Sequence, residues 1–413
     1  MPVADGSAPR RRKPVRMPGG GNHRGQPDKL GTRTRVGTLG GARPDVVGGN
    51  GSLAADGHAT CKSARTWLAV GHGNRSPDLS YTATRMEVGI QSTQAESVPT
   101  ANVRGRISVI MPCFNAERHL AAAAASALAQ TYANVELIVI DDGSTDASPA
   151  IAAAIERGNP GRVTLLHTAR VGPYPARNEA IRVARGDYVA FLDADDWWEP
   201  TALEKLHSAI STANADIAYC GWQNVGTGIK ADPFVPPEYE KDDPVAHFLR
   251  TCPWPIHAAL VDRSLVRQLN GFSERRFSSM DYDFWLRALA VTRKIVRVPE
   301  VLAYYRWHDA GQISAVRARQ VLDALEAQRQ FIRTNPALVK HLPARQVRDC
   351  TEGRVRREAY RALWNRDLPS AQCLFRHMAW SRSFSFRELP YVASALLPLR
   401  AYRWIVGLAD KAD

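Results

Sequence analysis

Gly186-Asp-Tyr-Val-Ala-Phe-Leu-Asp-Ala-Asp-Asp-Trp-Trp-Glu-Pro200 is the stretch that decides the fold of this chain. Tyr188 to Leu192 form one apolar run, the pattern of a strand buried on both faces. The run stops at three carboxylates, Asp193, Asp195 and Asp196. Pro200 then stands where a helix begins, ahead of residues 201–211. A strand that ends in clustered carboxylates puts them at the carboxyl edge of a sheet, where open α/β sheets bind ligands. Asp193 and Asp195 lie two apart on a chain leaving the strand, so they can converge on one hard cation. The same residues also read as an acidic turn capping the next helix, and the stretch alone leaves both readings open.

Upstream, the pattern of apolar run, turn and helix repeats. Ile107 to Pro112 reads as a buried strand, broken at Pro112-Cys-Phe-Asn115, and Ala-rich residues 116–130 read as a helix. Val135 to Ile140 is a second strand, ending at Asp141-Asp-Gly-Ser-Thr-Asp146. Helices are expected over 148–157 and 176–185, with a strand over 163–167 between them; Ala176, Ala180, Ile181 and Ala184 share one helical face. This alternation predicts the α/β class, with a doubly wound, mostly parallel sheet. Three turns then share one rim: 112–115 with an aromatic and an amide, 141–146 with two carboxylates and a glycine, and 193–196. Each alone is weak evidence; Asp141-Asp142-Gly-Ser also reads as a plain turn with Asp146 capping the next helix.

Downstream, strands are expected over 216–222, 256–261 and 301–307, a long loop over 226–244, and an amphipathic helix over 281–290 with Phe284, Trp285, Ala288 and Leu289 inward. Residues 315–413 read as helical, with breaks near Pro336, Pro343 and Pro369. Residues 1–103 are rich in Gly, Arg and Pro and read as a disordered basic tail. Met86 offers an alternative start that would lose nothing folded. The expected organisation is therefore tail 1–103, α/β domain 104–314 and helical region 315–413.

The net charge of +13 is concentrated in the tail: residues 1–105 hold 15 Lys/Arg against 7 Asp/Glu, and the remainder 39 against 34. A mildly basic folded part argues against a nucleic-acid partner. The six cysteines form no C-x-x-C pair and suit a reducing compartment. No leading apolar segment and no apolar run of about 20 residues is present, so the protein reads as cytoplasmic, at most touching the inner face of a membrane.

From about Ile107 to Ser314 the chain resembles the family-two glycosyltransferases of the GT-A fold. The matching words are Ser108-Val-Ile-Met-Pro-Cys-Phe-Asn115, Leu128-Ala-Gln-Thr-Tyr132, Ile140-Asp-Asp-Gly-Ser-Thr-Asp146, Gly172-Pro-Tyr-Pro-Ala-Arg-Asn178 and Gly186 to Asp196, in the family's order. The resemblance implies an inverting transfer of a sugar from a nucleoside diphosphate donor (UDP, GDP or dTDP) to an acceptor hydroxyl, in polysaccharide or glycolipid synthesis. It implies Mg²⁺ or Mn²⁺ held by Asp193 and Asp195. Pro112, Phe114 and Asn115 match the wall of the base pocket, Asp142 or its neighbour Asp141 the carboxylate on the base edge, and Arg177 a position near the donor phosphates. Asp281, in Ser279-Met-Asp-Tyr-Asp-Phe-Trp-Leu-Arg287, takes the place of the catalytic base, with Met280 where the family usually has Glu. His308, in Tyr305-Arg-Trp-His308, matches a segment that reaches the metal or the diphosphate.

Other readings stay beside these. Asp281 also reads as a helix cap, Asp283 as a partner of Arg287, and Trp197 or Trp198 as a sugar platform with the other in the core. Trp254 and His257 are weaker acceptor-side candidates. The C-terminal stretch Tyr391 to Leu408 reads as a packed cap or as a surface helix on anionic lipid. Lipid-linked or saccharide acceptors fit the resemblance. A nucleotide-sugar-binding protein without turnover and a sugar nucleotidyltransferase are the competing functions, although the latter usually has a Gly-rich loop after its first strand and Pro112-Cys-Phe-Asn115 has no glycine.

Overall fold

The computed structural model describes residues 105–226, 232–275, 278–307 and 317–409. The tail reading, the Met86 start and His308 lie outside the described residues. The chain opens with β1 (Ile107–Cys113), α1 (Leu120–Leu128), β2 (Val135–Asp141), α2 (Ser148–Gly158), β3 (Val163–His167), α3 (Pro173–Val183) and β4 (Tyr188–Phe191). These strands lie side by side and parallel in the order β3-β2-β1-β4. All seven residues of β2, and all of β1 except Pro112, are buried, as strands covered on both faces require.

Past the decisive stretch come β5 (Trp197–Trp198), α4 (Ala202–Thr212), β6 (Ile217–Val225), β7 (Pro233–Phe234), α5 (Pro244–Arg250), β8 (Ala259–Asp262), α6 (Arg263–Gln268), α7 (Met280–Val291) and β9 (Ile295–Arg306). The sheet continues β4-β8-β6-β9-β5, with β8 antiparallel to both its neighbours. The result is a mixed, mostly parallel sheet in an α/β fold. β9 starts six residues earlier than expected because Pro299 masks it. Val298 pairs with Cys220 and Val301 with Gly221, so Pro299 and Glu300 are bulged out of the ladder. Gly221 makes room: a Cβ there would lie 2.9 Å from the Glu300 carbonyl oxygen.

At the amino ends of the central strands sits a clasp. The buried Glu136 carboxylate accepts from Ser108 Oγ (2.6 Å), from the Arg185 N–H (2.7 Å) and Nε (3.1 Å), and from the Gly186 N–H (3.2 Å). Arg106 adds an ion pair at 3.3 Å. Gly186 is obligatory, since a Cβ would lie 2.6 Å from the Ser108 nitrogen.

The helices α8 (Arg317–Thr334), α9 (Pro336–Val339), α10 (Ala344–Cys350), α11 (Glu352–Trp364), α12 (Leu368–Trp380), α13 (Leu389–Ala395) and α14 (Leu399–Ala409) complete the described chain. Ala324, Ala327, Phe331, Val339 and Cys350 join the core of the sheet, whereas Val355, Ala359, Leu374, Phe375, Met378 and Tyr402 form a second core. No described helix is long and apolar enough to cross a membrane.

Candidate active site

The turns after β1 and β2 are laced together. Asn115 adopts a left-handed φ of 49°, which Asn tolerates better than most residues. Its Oδ1 accepts from the Thr145 N–H (2.8 Å), and its own N–H donates to Ser144 Oγ (3.0 Å). Ala116 N–H donates to Ser148 Oγ (2.8 Å) and Glu117 N–H to Asp146 (3.1 Å). These bonds occupy residues 115–117, so α1 begins at Leu120 and not at 116. Phe114 is exposed at this rim, with the Arg170 guanidinium 4.6 Å from its ring centroid. Pro112 is half-buried beside it at the end of β1.

The two carboxylates after β2 are used differently. Asp142 is buried and accepts from Thr168 Oγ1 (2.8 Å) and from the N–H groups of Val171 and Gly172 (2.7 Å each). It is spent on holding the turn that starts α3. Asp141 is also buried, with His167 at 3.5 Å from one oxygen, and its Oδ1 has no hydrogen-bond partner among the described residues. A buried acceptor facing no donor leaves Asp141 the carboxylate available to a ligand.

The third turn carries more charge. Asp193 and Asp195 are half-buried and Asp196 is buried. Asp193 is paired with Arg177, which projects from α3 and is itself buried. Burial pulls the guanidinium toward its neutral form, and Asp193 outweighs that and keeps it charged. Tyr174 and Phe272 lie under it, at 5.3 and 5.7 Å. Asp196 turns inward, accepting from the Arg306 N–H (2.7 Å), while Arg306 Nε donates to the Asp195 carbonyl (2.9 Å). The turn is thereby stitched to the end of β9.

Behind Asp196 stands His257, fully buried, with Nδ1 3.2 Å from a carboxylate oxygen and its ring stacked on Tyr305. Burial lowers His257 to about 4, and burial together with the Asp195 and Asp193 charges raises Asp196 well above the carboxylate range. Sequence reading placed His257 on the acceptor side; it lies instead beneath the carboxylate turn, and 61 residues of separation hid the contact. Trp254 is likewise core, stacked on Tyr219 at 4.3 Å. Trp198 is buried and donates its indole N–H to the His257 carbonyl (2.7 Å), while Trp197 stays half-exposed against Tyr304.

Asp281 comes from α7. It is the second residue of α7 and is half-buried; its carboxylate accepts the Tyr282 N–H at 2.8 Å. It is not the N-cap, which is Ser279 in a left-handed conformation. Met280 is buried and points into the core, so the position where a Glu was expected faces away from solvent. Burial raises Asp281, the Tyr282 N–H and Arg177 oppose the shift, and Asp193 reinforces it. The structure therefore brings Asp281, Arg177 and Asp193 within range of one another's charge.

That convergence depends on a second clamp. Asn178 accepts the Phe272 N–H (2.8 Å) and donates to the Phe272 carbonyl (2.9 Å) and to Glu274 (2.8 Å). Arg287 pairs with Asp283 at 2.7 Å and donates to the carbonyls of Leu269 and Gly271. Together these bonds tie the 269–274 segment to both α3 and α7.

Two half-buried carboxylates at a turn suit Mg²⁺ or Mn²⁺, which take oxygen donors and often only one or two carboxylates, the remainder coming from phosphate and water. Among the described residues no three or more His, Cys, Asp or Glu side chains gather into a cage. Asp193 and Asp195 thus fit an ion shared with a phosphorylated ligand, not a closed structural site.

The chain is similar in sequence to known glycosyltransferases. The model of glycosyl transferase family 2 matches residues 108–265. The Escherichia coli UDP-Glc:alpha-D-GlcNAc-diphosphoundecaprenol beta-1,3-glucosyltransferase WfaP is 30% identical over 220 residues, covering 52% of this chain and 82% of that one. The E. coli enzyme WfgD, of the same description, is 34% identical over 187 residues, covering 44% and 69%. Among solved structures, S. aureus TarS with UDP-GlcNAc is 21% identical with a TM-score of 0.48, covering 70% of this chain and 79% of that one.

Proposed function

The chain belongs to glycosyl transferase family 2, and on that premise we propose that it moves a sugar, with inversion, from a UDP-sugar to a hydroxyl of a lipid-linked saccharide. The relatives named for UDP-glucose and for a diphosphoundecaprenol-linked acceptor support that choice of donor and acceptor. We place the reaction at the cytoplasmic face of a membrane, in cell-surface polysaccharide or glycolipid synthesis. Residues 104–314 are read as the transferase domain and 315–413 as its helical companion.

In this reading the base of the donor lies against Phe114 and Pro112, with Asp141 on its edge and Asn115 holding the turn. Asp193 and Asp195 hold the divalent ion, and His308 is an additional candidate ligand. When bound, the ion neutralises the charge that develops on the departing nucleoside diphosphate. Arg177 keeps Asp193 oriented and adds positive charge beside the phosphates. Asp281 takes the proton from the acceptor hydroxyl as its oxygen attacks the anomeric carbon. The bond from that carbon to the diphosphate breaks on the opposite face, so an α-linked donor gives a β-linked product.

The observation that carries the reading is the convergence of the half-buried Asp281, whose pKa burial raises, with the Arg177–Asp193 pair. The test is transfer from UDP-sugars to a polyprenyl-diphosphate saccharide, with product configuration read by NMR. A β-linked product formed by the wild type and lost in Asp281→Asn is expected. Retained configuration, or full activity in Asp281→Asn, would overturn the proposed mechanism.

A further inference from the structure

Three tryptophans of the C-terminal helices are largely exposed: Trp364 (73%), Trp380 (72%) and Trp404 (66%). Phe386, Leu389, Tyr391, Leu396 and Leu397 are exposed with them. More than half of the exposed large apolar side chains among the described residues thus fall between 364 and 404. Isolated surface apolar residues are ordinary, but such a concentration marks an interaction surface.

Ring contacts connect Trp364 to Tyr391. The Trp364 ring lies 5.7 Å from Tyr360, and Tyr360 lies 5.2 Å from Tyr391. Tyr391 stacks on the buried Phe375 at 5.7 Å, which anchors the strip to the second core. α13 buries Val392 and Ala395 and exposes Leu389 and Tyr391. Arg376 donates to the carbonyls of Ala395 and Leu397 at 2.6 Å each, which pins the exposed Leu396-Leu397 corner in place. α14 buries Tyr402 and exposes Trp404. These helices therefore bury one face against the second core and expose the other.

Charge selects the occupant. Residues 352–409, from α11 to α14, contain ten arginines and four carboxylates, Glu352, Glu358, Asp367 and Glu388, none of them exposed. Glu388 is buried, is paired with Arg356 at 2.7 Å and accepts from the Ser385 N–H and hydroxyl. Arg382, Arg387, Arg400 and Arg403 are exposed among the aromatic residues. Exposed tryptophan and arginine with no exposed carboxylate match the boundary region of an anionic bilayer, where indole rings sit at headgroup depth and arginines meet phosphate.

We propose that the face formed by α11 to α14, with Trp364, Trp380, Phe386 and Trp404 as anchors and Arg382, Arg387, Arg400 and Arg403 as counter-charges, docks the enzyme on an anionic lipid surface. This rests on the reading that the acceptor is lipid-linked, and it adds the surface by which the enzyme reaches that acceptor.

The test uses the full chain without donor or acceptor, so it does not depend on transfer. Binding to phosphatidylcholine vesicles with and without phosphatidylglycerol is measured by co-sedimentation, and tryptophan depth by quenching with brominated lipid. Binding that requires phosphatidylglycerol and weakens with salt is expected. Arg400→Gln with Arg403→Gln lowers the partition coefficient about 30-fold at low salt, at about 1 kcal/mol per arginine. Trp380→Ser with Trp404→Ser removes most of the quenching. Both pairs are exposed and outside the transfer machinery, so donor hydrolysis stays at the wild-type rate. No binding to anionic vesicles, or binding unchanged in both double variants, overturns the proposal. So does a concentration-dependent dimer, dissolved by the tryptophan changes, in a protein that ignores vesicles. In either case the transfer reading still stands or falls on its own assay.

Discussion

Asp281 carries two opposed demands. As a base it must be ionised, yet burial favours its protonated form. The rate should therefore rise with pH through a value above the ordinary carboxylate range, visible as a displaced acid limb of kcat/KM. Asp281→Asn should lower kcat about 10²–10⁴-fold with little change in donor affinity. The same substitution should stabilise the fold at neutral pH. The folded state retains a proton that the unfolded state has lost, so wild-type stability falls as pH rises between the unfolded and the raised folded value, and Asn removes that loss. Thermal unfolding of both proteins at pH 5 and 7 checks the sign. Asp281 and the Asp193-Ala-Asp195 turn were legible because each is a local word in the chain. The Asp196–His257 couple was not, since its members come from separate elements and neither stands out in its own surroundings.

At the scale of elements, the strands of the parallel half were readable because apolar runs ending in turns have no other interpretation in an α/β alternation. What failed were boundaries set by distant partners. α1 starts late because residues 115–117 are committed to the next turn, and β9 was cut short because a proline inside a strand ordinarily ends it. The Asn178 clamp is another such partnership, and it can be tested. Asn178→Ala leaves the Phe272 N–H and carbonyl without their partner and should cost about 1–3 kcal/mol in denaturant unfolding. It should also lower kcat more than donor affinity, because the 269–274 segment, which Arg287 of α7 also grips, is held less firmly to α3. For the clasp, burial opposes ionisation of Glu136, and the bonds from Ser108 and Arg185 with the Arg106 charge outweigh it, so its folded value is depressed. Its stabilisation is present above the ordinary carboxylate range and is lost as pH falls through the folded value. Glu136→Gln should cost about 1–3 kcal/mol at neutral pH and flatten the acid branch of the stability curve.

The two cores make the whole molecule more interdependent than the sequence suggested. A boundary near residue 315 followed from the change to a purely helical pattern, but α8 to α10 lend Phe331, Val339 and Cys350 to the core of the sheet. Gln328 also donates to the Leu249 carbonyl at 2.6 Å. A chain ending at residue 316 forfeits that burial, at about 1.5–3 kcal/mol for each large side chain. It should melt well below the full chain or fail to fold, which calorimetry would show. Removing divalent ions with EDTA should abolish transfer and leave the melting temperature of the donor-free protein nearly unchanged, because the ion site is only completed by the donor. Adding Mn²⁺ with a UDP-sugar at about 100 times Kd should stabilise the fold by about 2.7 kcal/mol, and Asp195→Ala should remove most of that gain.

The Glu136 clasp and the carboxylate rim lie at opposite ends of the same strands. One end is tied by bonds that accept no substitution at Gly186; the other ends in the turns proposed to hold the donor. Such a sheet is modular for an engineer or for evolution. The turns at 112–115, 141–146 and 168–172 are bonded to one another, so retuning donor preference should require exchanging them together, while the clasp at the far end keeps the strands in register.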